Sequence, residues 1–293
     1  YEYRGPHNII LNLNNTNHGL ARHINKIMDM ASGELVVLAA GDDISYPERT
    51  SALVDAWLNN NQPPALCSFF NLIDSSGRDL GDQTAWFQSF LPRNGELKDD
   101  ILIRLVTTGS PALIGCTEAW RLDLFRLFSG LPEKVMFEDA AVSFRAWLVG
   151  DIVYLPDKLI AYRQHKNNIS NVKPHALTKP NDVVNKEKLY STWVARYIAL
   201  LDGYLIDTEV ATRLKLIDIK VSEMIINTMA RQKSDLELRL AWWDLSLLQR
   251  WHYVIKLIAN KEAHASLKWY LSRSLPLNVF SRLKIMLSYL SRR

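Results

Sequence analysis

Hydrophobic positions in the first part of the chain fall into two alternating patterns. His7–Leu13 (HNIILNL) is an apolar run of strand length. NNTNHG follows, an Asn- and Gly-rich turn. Leu20, Ile24, Ile27, Met28 and Ala31 then recur at helical spacing, and Gly33 stops the helix. Leu35–Ala40 is a second compact apolar run, read as a strand. Ser45-Tyr-Pro-Glu48 matches a capping box, with Pro47 tolerated in the first turn, and predicts a helix to about Asn59. Ala65–Ile73 reads as a strand closed by the turn Asp74–Gly77.

The middle of the chain is less regular. Asp99–Thr107 reads as helix, Ala112–Thr117 as strand and Arg121–Phe128 as helix. Glu138–Val149 is a helix stopped by Gly150, and Ile152–Leu155 and Leu159–Arg163 are short strands joined by a Pro-Asp-Lys turn. From about Lys186 the pattern becomes long, Leu- and Trp-rich and helical. Strand and helix alternation predicts an α/β domain with a mostly parallel, Rossmann-like sheet flanked by helices. The two prolines in NVKPHALTKPND place a boundary there, giving an α/β domain over 1–175 and a helical region over 176–293.

Composition adds limits. At 48% hydrophobic and 23% charged residues, the 293-residue chain has ample material for a core. Its net charge of +4 does not choose between anionic small molecules, a membrane surface and nucleic acid. Cys67 and Cys116 sit in apolar contexts without ligand spacing, which fits a reducing compartment and small core thiols. No apolar run reaches the roughly 20 residues that span a bilayer, and YEYRGPHNIILNLNN lacks the basic start and apolar block of a signal peptide.

Three clusters carry candidate chemistry. Asp42 and Asp43 end an apolar strand, where ligands of parallel sheets bind. Two carboxylates there suit a hard cation, Mg2+ or Mn2+, bridging the phosphates of a nucleotide; for an isolated pair, a turn before a capped helix is the commoner explanation. The same tripeptide Gly41-Asp-Asp43 occurs at hairpin tips in RNA polymerases, but here a helix start follows. Glu138 and Asp139 open a helix whose dipole favours carboxylates, and Asp139 could also serve as a general base. Tyr162–Ser170 (YRQHKNNIS) gathers Arg163, His165 and Lys166 at a strand end. A histidine beside two cations has an incentive to stay neutral, as a metal ligand or phosphate partner.

In order, Asn17-His-Gly19, Asn25, Ser32-Gly33-Glu34, Asp42-Asp43, Pro47, Asp74 with Gly77, Glu138-Asp139 and Tyr162-Arg-Gln-His165 resemble the family-2 glycosyltransferases of GT-A fold. The resemblance implies an inverting, metal-dependent transferase that moves a sugar from a nucleotide-sugar donor to a saccharide or lipid-linked acceptor. Bacterial surface polysaccharide synthesis is the implied setting. By that resemblance Asp43 is the likelier ligand of Mn2+ or Mg2+, with Asp42 nearer the ribose or sugar. His165 completes the metal or diphosphate site, and Arg163 adds charge near the leaving group. Asn25 and Arg22 fall at the nucleotide-sugar site. Asp139 is the base, with Glu138 beside it at the acceptor.

The chain departs from the family pattern in three places. Ala40 stands where an Asp often precedes the Asp-Asp pair, Ile24 stands where an Arg often precedes the helix Asn, and the usual opening strand, turn and helix for the nucleotide base are not found. These departures keep a second reading open, a non-catalytic remnant acting as a binding or assembly partner.

Ser266–Arg293 carries six basic residues and no acid, interleaved with aromatic and aliphatic side chains. That pattern suits an interfacial helix on an anionic membrane surface or a helix with a solvated basic face. Without a base-reading motif, nucleic acid is not expected as a partner. A cytoplasmic protein, peripheral at the inner face of the plasma membrane, is the expectation. Trp242 and Trp243 are expected in a core, and Trp86 and Phe87 in the loop Gly81–Lys98 either stack on a sugar ring or anchor the loop.

Overall fold

The computed structural model of the chain describes residues 5–81, 88–89, 91–135, 137–165, 168, 183–242, 244–259 and 270. The chain divides into two compact units, Tyr1–Ala230 and Arg231–Arg293. In the first, five strands form one sheet: β1 (Leu35–Val37), β2 (Ile44–Ser45), β3 (Ala65–Ile73), β4 (Glu118–Arg121) and β5 (Ile152–Arg163). The helices are α1 (Leu20–Met30), α2 (Arg49–Asn59), α3 (Lys98–Thr108), α4 (Leu122–Leu127), α5 (Glu138–Val149), α6 (Val183–Arg213), α7 (Ile219–Ala241) and α8 (Leu247–Ala259).

The strand order is β1-β4-β3-β5-β2. The class is mixed α/β, as expected, but the sheet is not mostly parallel. Only β3 and β5 pair in parallel; β1–β4, β3–β4 and β2–β5 are antiparallel. The connection from α3 does not cross over to a parallel strand. It tightens into a 3-10 turn at Gly115–Thr117 and feeds β4 back between β1 and β3. The run Ala112–Thr117, expected as a strand, is the approach to that turn and the turn itself.

Directions matter more than pair types. Because β4 opposes both β1 and β3, and β3 parallels β5, the strands β1, β3 and β5 all point the same way. Their carboxyl ends, and the amino end of β4, share one edge. Asp42 and Asp43, which follow β1, therefore still lie beyond the carboxyl end of a strand.

Side-chain alternation gives the sheet two buried faces. On one, Leu66, Ala119, Leu155 and Leu159 pack with Leu53 and Trp57 of α2. On the other, α5 packs on β3 and β5, and α3 packs on α5. The two segments expected as separate strands, Ile152–Leu155 and Leu159–Arg163, are one strand. Its partner on β3 steps from Leu155 at Ser68 to Lys158 at Phe69, so Pro156 and Asp157 are bulged out rather than turned.

Two further local expectations are corrected. His7–Leu13 is not in a strand, and Ile9, Ile10, Leu11 and Leu13 are exposed. The capping box does not form: the helix starts at Arg49, Glu48 makes no side-chain cap, and Ser45 lies in β2. The Ser45 hydroxyl accepts from Arg49 Nη1 at 3.0 Å instead.

The α5 helix is locked to α6 by a sealed ion pair. Arg145 donates to Asp207 from Nε (2.8 Å) and Nη2 (3.0 Å), and Nη2 also reaches the Gly130 carbonyl at 2.6 Å. The side chains are 1% and 2% exposed. Phe144 stacks on Tyr204 with ring centroids 4.0 Å apart, and the Tyr204 hydroxyl donates to the Ala140 carbonyl at 3.0 Å. In the second unit Trp242 is fully buried, as expected, against Tyr270. Trp243, Trp86, Phe87, Lys166 and, apart from Tyr270, the segment Ser266–Arg293 lie outside the described residues. Among the described residues no helix is long and apolar enough to cross a membrane.

Removing one partner of a sealed pair strands the other charge. Asp207→Ala is expected to destabilise the first unit by about 3–5 kcal/mol, whereas the double change Arg145→Met with Asp207→Leu costs much less. Urea unfolding of the three proteins checks this.

Candidate active site

Three loops that are far apart in sequence meet at the shared edge, and Arg163 at the end of β5 joins them. Its backbone N–H donates to Asp43 Oδ1 at 2.7 Å. Its Nε donates to the Asp42 carbonyl at 2.7 Å, and Nη1 to the Asp74 carbonyl at 2.9 Å. The loops after β1, β3 and β5 are thus tied by one side chain and its own amide. The Asp74 turn is closed on itself: its carboxylate accepts from the Ser76 hydroxyl, from the Ser76 and Arg78 amides and from the Arg78 guanidinium. Those donors hold Asp74 below the usual carboxylate range.

His165 lies two residues beyond Arg163, and its Nε2 meets Asp42 Oδ2 at 2.9 Å. Asn168 latches this turn, accepting the His165 amide at 2.7 Å and donating to the Arg163 carbonyl at 2.7 Å. Asp42 is the exposed carboxylate of its pair and Asp43 the half-buried one. The Oδ2 of Asp43 is shut from solvent and no donor stands at hydrogen-bonding geometry to it, although the Cys116 thiol adjoins the carboxylate. Desolvation raises the Asp43 carboxyl above its ordinary value, against the opposing pull of the Arg163 amide.

A buried cation lies behind this carboxylate. Arg49, 2% exposed, extends from the first turn of α2, and its Nη2 donates to the carbonyls of Leu38 (2.6 Å) and Cys116 (2.8 Å). It thereby ties the end of β1 to the 3-10 turn. Arg49 was not singled out by sequence, because an arginine in Glu-Arg-Thr at a helix start reads as a solvated charge.

The acidic pair of α5 reaches the same edge through that turn. A Cβ placed on Gly115 would lie 2.4 Å from Glu138 Oε1, so the missing side chain is the space that Glu138 fills. Asp139 Oδ1 accepts from the Ala140 amide at 2.8 Å, and the Gly115 amide also favours its anion. Both carboxyls are raised above their ordinary values. Burial is the main cause for each, and for Glu138 the charge of Asp139 adds to it. A carboxyl raised in this way has the property that a general base working near neutrality requires.

Glu118, the first residue of β4, was also missed. It is fully buried, and neither carboxylate oxygen has a hydrogen-bond partner. The signal was present: one carboxylate in the otherwise apolar run Ala-Leu-Ile-Gly-Cys-Thr-Glu-Ala-Trp.

Two expected residues are engaged elsewhere. Asn25 makes a reciprocal pair with Leu131, donating to its carbonyl and accepting its amide, both at 2.8 Å. Arg22 pairs with Glu133. Both hold the loop that precedes α5. Arg163, expected near a diphosphate, directs its guanidinium to main-chain carbonyls. Among the described residues no three His, Cys, Asp or Glu side chains form a metal-ligating set. Asp42 and His165 do fit a two-ligand site of the kind in which substrate phosphates and water complete the shell.

Neither a known family model nor a curated protein matches the chain in sequence.

Raised acids make the fold pH-dependent. Between the ordinary carboxyl range and their raised values, Glu138 and Asp139 keep protons that the unfolded chain has released, so stability is greatest on the acid side and falls as pH rises. Urea midpoints between about pH 5 and pH 8 are expected to fall, and Glu138→Gln to flatten that fall. Gly115→Ala forces Glu138 out of its space and is expected to cost about 1–3 kcal/mol in the same assay.

Proposed function

We propose that the chain is an inverting glycosyltransferase that uses a nucleotide-sugar donor. The observation that carries this reading is the meeting of Asp42–Asp43, Asp74, Arg163 and His165 at one sheet edge, with Glu138–Asp139 joined to it through Gly115. These are the clusters whose order along the chain resembles the family-2 transferases, and the resemblance by itself says nothing of where they meet in space.

In this reading Asp139 takes the proton of an acceptor hydroxyl. The acceptor oxygen forms a bond to the anomeric carbon of the donor sugar from the face opposite the diphosphate, as the bond to the diphosphate oxygen breaks. The nucleoside diphosphate leaves with that electron pair. Asp42 and His165 would hold a Mn2+ or Mg2+ ion, which when bound would supply Lewis-acid neutralisation of the diphosphate charge. The resemblance puts Asp43 first as ligand, but with Oδ1 on the Arg163 amide and Oδ2 buried, Asp43 suits anchoring the loop better. Arg163 then acts by fixing the three loops. The acceptor, a saccharide or a lipid-linked one, is read from the resemblance alone.

Two experiments test the reading. Calorimetric titration with UDP, GDP and dTDP, with and without manganese, is expected to give manganese-dependent binding of one nucleotide. Asp42→Ala or His165→Ala is expected to weaken it at least tenfold. A nucleotide bound equally well without manganese removes the cation role. Asp139→Asn is expected to lower transfer by about 10²–10⁴-fold while leaving nucleotide binding nearly intact. Unchanged turnover in that variant removes Asp139 as base.

A further inference from the structure

The second unit carries a surface that the scheme above leaves unused. Its helix α8 fixes its own start with a reciprocal capping box. The Ser246 amide donates to Gln249 Oε1 at 2.8 Å, and the Gln249 amide to the Ser246 hydroxyl at 3.4 Å. Val254, fully buried, and Arg250, partly buried, mark the side of the helix that packs.

The outward side of a surface helix is normally polar. Here it carries Leu248, Trp251 and Ile255, which are 84%, 40% and 62% exposed. Spacings of three and four residues set the three in one row along the helix. His252 and Lys256, both exposed, line one flank of that row. Tyr253 is exposed off the row. An unbroken apolar row rimmed by polar groups marks an interaction surface.

Charge selects the occupant. From Leu245 to Lys261 the sequence holds Arg250, Lys256 and Lys261 and no Asp or Glu. Arg231–Arg293 as a whole has 12 Lys and Arg against four Asp and Glu, whereas residues 1–230 have 23 against 27. The basic surplus of the chain is therefore confined to the unit that bears the row, an asymmetry that favours an anionic surface. Apolar side chains, a tryptophan, a flanking lysine and no acid match the boundary layer of an anionic bilayer. Leu and Ile enter the acyl region there, Trp sits at headgroup depth, and a Lys ammonium stays among the phosphates. Crossing a bilayer takes about 20 residues. With 13 residues, α8 lies in the plane of the interface instead.

We propose that α8 is a membrane-docking helix: the row Leu248, Trp251 and Ile255 enters the boundary of a bilayer with anionic headgroups, and Lys256 and the net positive charge of its unit hold it there. The inference is independent of the transferase reading and its test needs no activity.

The test is co-sedimentation of the whole chain with vesicles, either phosphatidylcholine alone or an equal mixture of phosphatidylcholine and phosphatidylglycerol. Binding is expected to the mixture and to be much weaker to phosphatidylcholine alone. Leu248→Ser with Ile255→Ser is expected to lower the affinity for the mixture at least about tenfold. The urea midpoint is expected to stay in place, because both side chains are exposed. Brominated acyl chains are expected to quench wild-type tryptophan emission, and Trp251→Phe to lose much of that quenching. Failure to bind the mixture, or equal binding to both vesicles, overturns the proposal. Wild-type binding by the double variant means that charge elsewhere makes the contact and overturns the role of the row. A lowered urea midpoint in the double variant places the row against the chain's own residues and also overturns it. Sedimentation velocity without lipid decides the case of a second copy: a dimer that the double variant dissolves assigns the row to that copy and overturns lipid docking.

Discussion

The parallel pairing of β3 with β5 is the constraint on which the site depends. It runs from Ala65 opposite Ile152 to Ile73 opposite Arg163, and so delivers the Asp74 turn and the Arg163–His165 turn to the same place. The bulge at Pro156–Asp157 lets the long strand keep pairing past a residue that cannot donate to a ladder. Without that bulge Arg163 falls out of register with Ile73, and its amide no longer faces Asp43. One pairing thus fixes the positions of three loops, with Arg163 as the tie.

The other half of the site is built from buried charge rather than from strands. Burying an ion is tolerated only with a partner and full hydrogen bonding, and the first unit meets this condition unevenly. Arg145 and Asp207 pair through two hydrogen bonds, leaving Arg145 Nη1 without a hydrogen-bond partner, and hold α5 against α6. Arg49 is satisfied largely by main-chain carbonyls and pins the end of β1 to the turn at Gly115. Glu118, Glu138 and Asp139 have burial without a cation of their own, and protonation is the remaining way to relieve them. The same arrangement that stiffens α5 therefore leaves its first turn with raised carboxyls, poised to exchange protons.

Much of the framework could be read along the chain. Ala65–Ile73 and Glu138–Val149 fall where periodicity puts them, because a continuous apolar strand and an apolar helix ended by Gly150 have no competing local solution. Places where local signals failed share a cause. Ser45 and Glu48 spell a capping box, but Ser45 is drawn into β2 and bonded to Arg49. Ala112–Thr117 has strand composition, but a tight turn lets Glu138 pack on Gly115. Pro-Asp-Lys spells a turn, but pairing with β3 extends straight through it. In each case a contact with residues distant in sequence outweighs a preference of a few tenths to one kcal/mol.

For the candidate site, residue order alone marked the side chains that carry the candidate chemistry: the two aspartates after β1, the acidic pair opening α5, and the arginine and histidine after β5. Order alone could not say what each one faces. That Asp42 rather than Asp43 pairs with His165, that Asn25 and Arg22 hold the loop before α5, and that Arg49 and Glu118 are buried were decided by the tertiary structure. The physical reason is desolvation. A charged residue has the same chemistry anywhere along the chain, but its role follows from how much water and how many partners the packed neighbours leave it.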